Sequence, residues 1–314
     1  VQLSKRFDRT EAVRDATFTV GEGEVFGFLG PNGAGKTTTI HMLCTLALPT
    51  SGQASVAGFD VVRQRDAVRR SIGLVFQATT LDEALTAEQN LRFHAYAYGV
   101  PAEVRDQRIR ELLSLVELWD RRRSRVRTFS GGMRRRLEIA RGLLHQPKVL
   151  VLDEPTLGLD PQTRRRIWEY LAELRSRDGL TIFLTTHYMD EAEHCDRIAV
   201  IDHGRVVALD SPAHLRSAVG GDLITIATAD GEAAALELRS RYGVAPTLLD
   251  GTVTFQVRAG EAFLPGFVRT FGQPMEAIGL RRPTLDDVFL QLTGREIRDP
   301  ESSAPEPIKG MWRR

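Results

Sequence analysis

Lysine is nearly missing from this chain. Lys5, Lys36, Lys148 and Lys309 are its four lysines among 42 basic residues, and 41 acids bring the net charge to +1. Balanced charge offers no global field for nucleic acid or an anionic membrane. The arginine bias reads as the composition of a GC-rich genome rather than as a binding surface. Cysteine is equally scarce. Cys44 and Cys195 stand far apart in no paired motif, which argues against a disulfide framework and suits a reducing cytosol. No apolar run approaches the ~18 residues of a membrane span, and no secretory signal is visible. Val1 falls inside what reads as a strand, so a few native residues are expected to precede it. The length of 314 residues allows one large α/β domain and a smaller one.

What is present is concentrated in one stretch. The apolar run Val25–Leu29 leads straight into Gly30, Pro31, Asn32, Gly33, Ala34, Gly35, Lys36, Thr37 and Thr38. A short strand, a glycine-rich turn and a helix beginning at Lys36 form the geometry that cradles a nucleotide's phosphates. Bare glycines let backbone N–H groups point inward, and the helix N-terminus adds partial positive charge. Lys36 reaches the β- and γ-phosphates, and the Thr37 hydroxyl suits Mg2+. The stretch predicts binding of ATP or GTP.

Residues 1–29 alternate apolar and polar in three strand-like runs. A helix to about Leu46 is expected next, then strands near Gln53–Ala57 and Ile72–Phe76. Between Leu81 and Leu144 the period turns helical, with Val104, Arg108, Leu112, Leu115, Val116 and Trp119 at helical spacing. Strand character returns at Val149–Leu152, Thr181–Thr185, Ile198–Ile201 and Arg205–Leu209. The whole predicts a sheet core carrying a helical subdomain over about 79–145. A break at Gly220-Gly221 opens a second α/β domain over 221–293, in which Pro265 weakens the second helix. The Pro- and Ser-rich tail from Arg295 reads as disordered.

Two further motifs carry chemistry. Val149-Leu-Val-Leu-Asp153-Glu154-Pro155 is a buried-type strand ending in two carboxylates. Beside a phosphate loop, Asp153 can hold Mg2+ through its water shell and Glu154 can polarise the water that attacks the γ-phosphate. Ser130, Gly131 and Gly132 open the helical run Arg134–Leu144, a second phosphate-type arrangement. Alone it is an ordinary N-cap. Since one nucleotide does not need two such sites from one subunit, a head-to-tail pair of subunits is the alternative, each offering its Ser130 loop to its partner's ATP.

In this order and spacing, Gly30–Thr38, Gln77, Phe129–Met133, Val149–Pro155, Gly158-Leu159-Asp160 and Thr186-His187 resemble the nucleotide-binding subunits of ATP-binding cassette (ABC) transporters. The resemblance covers residues 1–219. Phe129-Ser-Gly-Gly-Met133 and Pro283-Thr-Leu-Asp-Asp-Val-Phe-Leu-Gln-Leu-Thr293 narrow it to the daunorubicin-resistance type of exporter ATPase. It implies an α/β P-loop cassette with a mixed β core, an antiparallel β subdomain and a helical subdomain. It also implies ATP and Mg2+ as cofactors, a homodimer, a separate transmembrane permease, and a peripheral place on the cytoplasmic face of the cell membrane. By the same resemblance Gln77 touches Mg2+ or its water, His187 bonds the γ-phosphate, Asp160 communicates across the dimer, and Phe7 stacks on adenine. Residues 78–90 receive the permease's coupling helix, and the C-terminal domain stabilises the dimer or regulates coupling. Each residue also has a plainer reading: Gln77 as a strand terminus, His187 as structural, Asp160 as a helix N-cap before Pro161, Phe7 as core.

Two positions depart from the family. Met133 replaces the glutamine that commonly ends the signature loop, and Phe7 lacks a tyrosine hydroxyl. Neither removes a phosphate ligand or the expected base. The clusters Arg121–Arg123, Arg134–Arg136 and Arg164–Arg166 invite a nucleic-acid reading. Their helical placement and nearby acids favour a solvated, ion-paired face. An importer ATPase is a close alternative. DNA-repair and translation ATPases fit less well, because no long heptad region separates Lys36 from Ser130 and one cassette is present rather than two.

Overall fold

The computed structural model describes residues 1–218, 220–249 and 252–294. One compact unit spans Val1–Leu209, and a second begins at Asp210.

In the first unit the fully buried run Val25–Leu29 is a central strand of a six-stranded sheet. The order is Arg205–Asp210, Arg197–Asp202, Val25–Leu29, Thr181–Thr186, Val149–Asp153, Ile72–Val75. Val25–Leu29 runs parallel to both neighbours, and the last three strands also pair in parallel. Strands covered on both faces need apolar residues at every position, which explains the unbroken hydrophobic runs. Phe18, Phe26, Phe28 and Phe183 pack as one ring cluster, with the paired centroids 5.3–6.0 Å apart. Gly27 is required here, since a Cβ would lie 2.8 Å from the Cys195 Sγ. Both cysteines are buried free thiols. Burial pushes Cys44 up to about 12 and raises Cys195 as well.

The strands Leu3–Phe7 and Thr10–Ala16 form an antiparallel pair. The strand expected near Gln53–Ala57 is the short hairpin Ser55–Val56/Phe59–Asp60, followed by a helix at Arg65–Ser71. The helix from Lys36 stops at Leu43, because Thr45 takes φ 63°. The helical region contains Ala87–Ala97, Ala102–Leu115 and Gly131–Leu143. Thr86 and Gln89 close a capping box on the first of these, and Pro101 precedes the second.

The second unit contains a four-stranded antiparallel sheet in the order Thr247–Leu249, Thr252–Val257, Asp222–Ala227, Ala277–Arg281. Helices Gly231–Tyr242 and Gly260–Thr270 complete a strand–helix–strand–strand–helix–strand order, the ferredoxin-like arrangement. Gly260–Thr270 continues through Pro265, since Phe263, Phe267 and Phe271 pack with Tyr242 and Phe255. This burial outweighs the hydrogen bond that proline removes. The unit starts before Gly220-Gly221 because helix Pro212–Ala218 packs on helix Leu285–Thr293. The tail from Arg295 lies outside the described residues. Among the described residues, no helix is long and apolar enough to cross a membrane.

Candidate functional site

Four parallel strands bring four distant segments to one edge of the sheet. Gly30, Gln77, Glu154 and His187 all follow closely on the C-terminal ends of Val25–Leu29, Ile72–Val75, Val149–Asp153 and Thr181–Thr186. This is the edge at which open α/β sheets bind ligands.

Lys36 begins its helix after Gly35, whose φ of 107° favours glycine and where a Cβ would lie 2.4 Å from the Ala12 carbonyl oxygen, so no side chain fits. Gly33 is also left-handed, at φ 80°. The Lys36 ammonium donates to the Gly30 and Pro31 carbonyls (2.8 and 3.2 Å) and lies 3.2 Å from Glu154 Oε1. Three acceptors thus match its three hydrogens. Burial lowers the Lys36 pKa, opposed by Glu154 and Asp153.

Glu154 is the convergence point. Lys36 and His187 Nδ1 approach its Oε1 at 3.2 and 3.3 Å, and Gln77 Nε2 donates to its Oε2 at 3.3 Å. Burial resists its ionisation. The His187 hydrogen bond and the Lys36 charge overcome that and hold the carboxyl below its usual range. Its backbone is left-handed, with φ 46°, and its N–H donates to the Thr185 carbonyl and hydroxyl. A non-glycine residue keeps such a conformation only where its surroundings fix it.

The Thr37 hydroxyl donates to the Asp153 carboxylate, 3.1 and 3.4 Å from its two oxygens, and the Thr185 hydroxyl donates to Asp153 Oδ1 at 2.5 Å. This hard-oxygen set with a single carboxylate fits Mg2+, an ion completed by substrate phosphates rather than by a protein cage. No cluster of three or more His, Cys, Asp or Glu that could hold a metal is found among the described residues.

Ser130, Gly131, Gly132 and Asp160 form a second group. Ser130 is exposed and caps its helix by accepting from the Met133 N–H at 3.3 Å. Asp160 caps Pro161–Asp178, accepting from the Thr163 N–H and hydroxyl at 3.0 and 2.7 Å, contacts that keep its carboxyl readily ionised. A Cβ on Gly132 would lie 2.6 Å from Thr163, so the two caps are neighbours. Arg164 donates to the Leu159 carbonyl and lies 4.3 Å from the Tyr188 ring, tying this segment to the one carrying His187. Phe7 is half exposed, 50% accessible, so its ring is not core.

One expectation fails. Arg134 pairs with Glu83, Arg136 with Glu117, and Arg166 with Glu117 and Glu169, as an ion-paired face should. Arg135, however, is buried. It sits with Glu138, Ile139 and Gly142 on the packed face of its helix, an i, i+3, i+4, i+7 pattern that periodicity could have exposed. Thr185 also escaped notice, though it sits beside Asp153 in the strand register.

The ABC transporter family matches residues 13–157. The chain is 42% identical to the daunorubicin resistance ATP-binding protein DrrA2 of Streptomyces coeruleorubidus, over 96% of each chain. It is 41% identical to the Nod factor export ATP-binding protein I of Burkholderia orbicola, over 95% of this chain and 97% of that one. A dimeric ATP-binding cassette solved in a post-hydrolysis state with ADP and Pi superposes with TM-score 0.61 at 29% identity, covering 67% of this chain and 96% of that chain. The chain belongs to the ABC transporter ATP-binding family. It is an ATPase of the P-loop cassette fold.

Proposed function

We propose that this chain is the ATP-hydrolysing subunit of an exporter. Two copies close head to tail around two ATP–Mg2+ and drive a separate permease from the cytoplasmic face of the membrane. The observation that carries the hydrolytic mechanism is the meeting of Lys36, Gln77 and His187 on Glu154 within 3.2–3.3 Å. When phosphates arrive, Lys36 leaves Glu154 and the loop carbonyls for the β- and γ-oxygens. The freed carboxylate then orients the attacking water, with Gln77 and His187 beside it. Gly30 to Thr38 supply the loop, and Phe7 offers its exposed ring to adenine. Thr37, Asp153 and Gln77 would hold Mg2+, which supplies charge neutralisation on the phosphates. The outward-facing Ser130, Gly131, Gly132 and Asp160 belong to the partner's nucleotide.

Relatives named for daunorubicin resistance and Nod factor export, matched over nearly the full length, support export of a hydrophobic drug, antibiotic or lipid-like compound. The second unit, which begins at Asp210, serves as an accessory to dimerisation or coupling. The test is transport into inside-out vesicles carrying the permease. ATP-dependent accumulation of daunorubicin requires both subunits and disappears with Ser130→Arg, although ATP still binds. A strictly monomeric protein that splits ATP at full rate would overturn the shared-site mechanism.

A further inference from the structure

Arg135 is among the most deeply buried cations in the first unit, with 7% of its surface accessible. Its guanidinium donates to the carbonyls of Pro155 at 2.6 Å, Asp153 at 2.9 Å and Glu154 at 2.9 Å, and also to that of Phe76. These four carbonyls lie where the ladder between Ile72–Val75 and Val149–Asp153 ends, since Val75 and Leu152 are the last paired rung. A single side chain therefore joins the two strand ends where the ladder between them has stopped, while Asp153 stays paired with Thr185 on its other side. Glu138 balances its charge at 3.2 Å and accepts the Thr80 N–H at 2.8 Å, and Arg141 donates to the Thr80 carbonyl at 3.0 Å. Three residues of one helix face thus grip both the Glu154 turn and the segment that carries Gln77.

The same helix, Gly131–Leu143, begins at Ser130. We propose that Arg135 is a positioning residue that sets the left-handed turn of Glu154 according to the placement of the Ser130 helix. The proposal rests on the functional reading above, in which Ser130 meets the partner's nucleotide and Glu154 serves its own. Under that reading, Arg135 links the two nucleotides of the dimer through one rigid strut. Arginine suits the task because its planar fork reaches several carbonyls at once, which an ammonium cannot do.

The test compares the full-length wild type with Arg135→Lys, Arg135→Met, and the double variant Arg135→Met/Glu138→Leu, which removes the buried charge pair together and so limits the folding penalty. The measurements are steady-state ATPase, TNP-ATP affinity and melting temperature. The expected result is a fall in kcat on the order of 10²-fold for both methionine variants, the scale of a small displacement of a reacting group. KM and TNP-ATP affinity stay within about twofold, and Arg135→Lys restores part of the rate. In a Glu154→Gln background, Arg135→Met still gives an ATP-dependent dimer. Full turnover in a folded double variant overturns the proposal. So does loss of nucleotide affinity in parallel with rate, or a double variant that does not fold. Wild-type binding and turnover, measured alongside, test the functional reading itself, so a defect confined to the variants bears on the strut alone.

Discussion

Replacing Glu154 with glutamine keeps the shape of the side chain and removes its charge. The amide oxygen can still accept from Lys36 and His187, now 3.2 and 3.3 Å from Oε1. The other branch turns from acceptor to donor and faces Gln77 Nε2 at 3.3 Å, so the Gln77 amide must rotate to present its oxygen. Ground-state contacts therefore survive, while the proton acceptor for the attacking water is gone. General-base catalysis contributes about 10²–10⁴-fold, roughly 3–5 kcal/mol of barrier, and kcat should fall by that factor. ATP affinity should hold or improve, because Lys36 no longer divides its charge between a carboxylate and the phosphates. Phosphate release at saturating ATP–Mg2+ reads the rate, and gel filtration with ATP reads the accumulated dimer. Turnover within threefold of wild type would show that Glu154 is not the base.

Phe7→Ala removes an exposed ring that lies 4.8 Å from the Lys5 ammonium. Stacking on a base is worth about 1–3 kcal/mol, so the ATP Kd should rise roughly 5- to 150-fold at unchanged saturating kcat; unchanged displacement of TNP-ATP would place adenine elsewhere. In the second unit, Arg281 pairs with both Asp287 oxygens (2.5 and 2.9 Å), and Asp287 caps its helix by accepting the Thr284 N–H at 2.8 Å. The Arg281 hydrogen bonds hold the carboxyl down at about 2, against an ordinary 3.8. A depressed pKa stabilises the fold above the unfolded value and loses that contribution as pH falls toward the folded one. Asp287→Asn should cost about 1 kcal/mol at neutral pH, allowing for solvent screening, and the deficit should narrow between about pH 4 and about pH 2. Urea melts across that range check it, and a deficit independent of pH would exclude the charge as its source.

Much of the site was legible because its chemistry is local in sequence. A phosphate loop is one uninterrupted run whose glycines, lysine and threonine each answer to a neighbour, and the acids at 153 and 154 follow a strand that only burial on both faces explains. That Glu154, Gln77 and His187 meet at one carboxylate is a property of strand order, and no short window of residues contains strand order. Arg135 was misread for a related reason. Its triplet looks solvated when read by charge, whereas the helical period turns the middle arginine inward, onto carbonyls 18–20 residues ahead. Short elements such as Ser55–Val56, Arg65–Ser71 and Thr247–Leu249 carry too few residues for a period to emerge. Pro212–Ala218 was hidden because its partner, Leu285–Thr293, lies at the far end of the second unit.

The two core thiols have a practical corollary. With Cys44 and Cys195 enclosed and their ionisation driven far above neutrality, almost no nucleophilic sulfur is present at pH 7. A maleimide dye attached to a cysteine engineered on the surface should therefore report from that position alone, giving a ready way to follow the joining of two cassettes without first stripping the native sulfur.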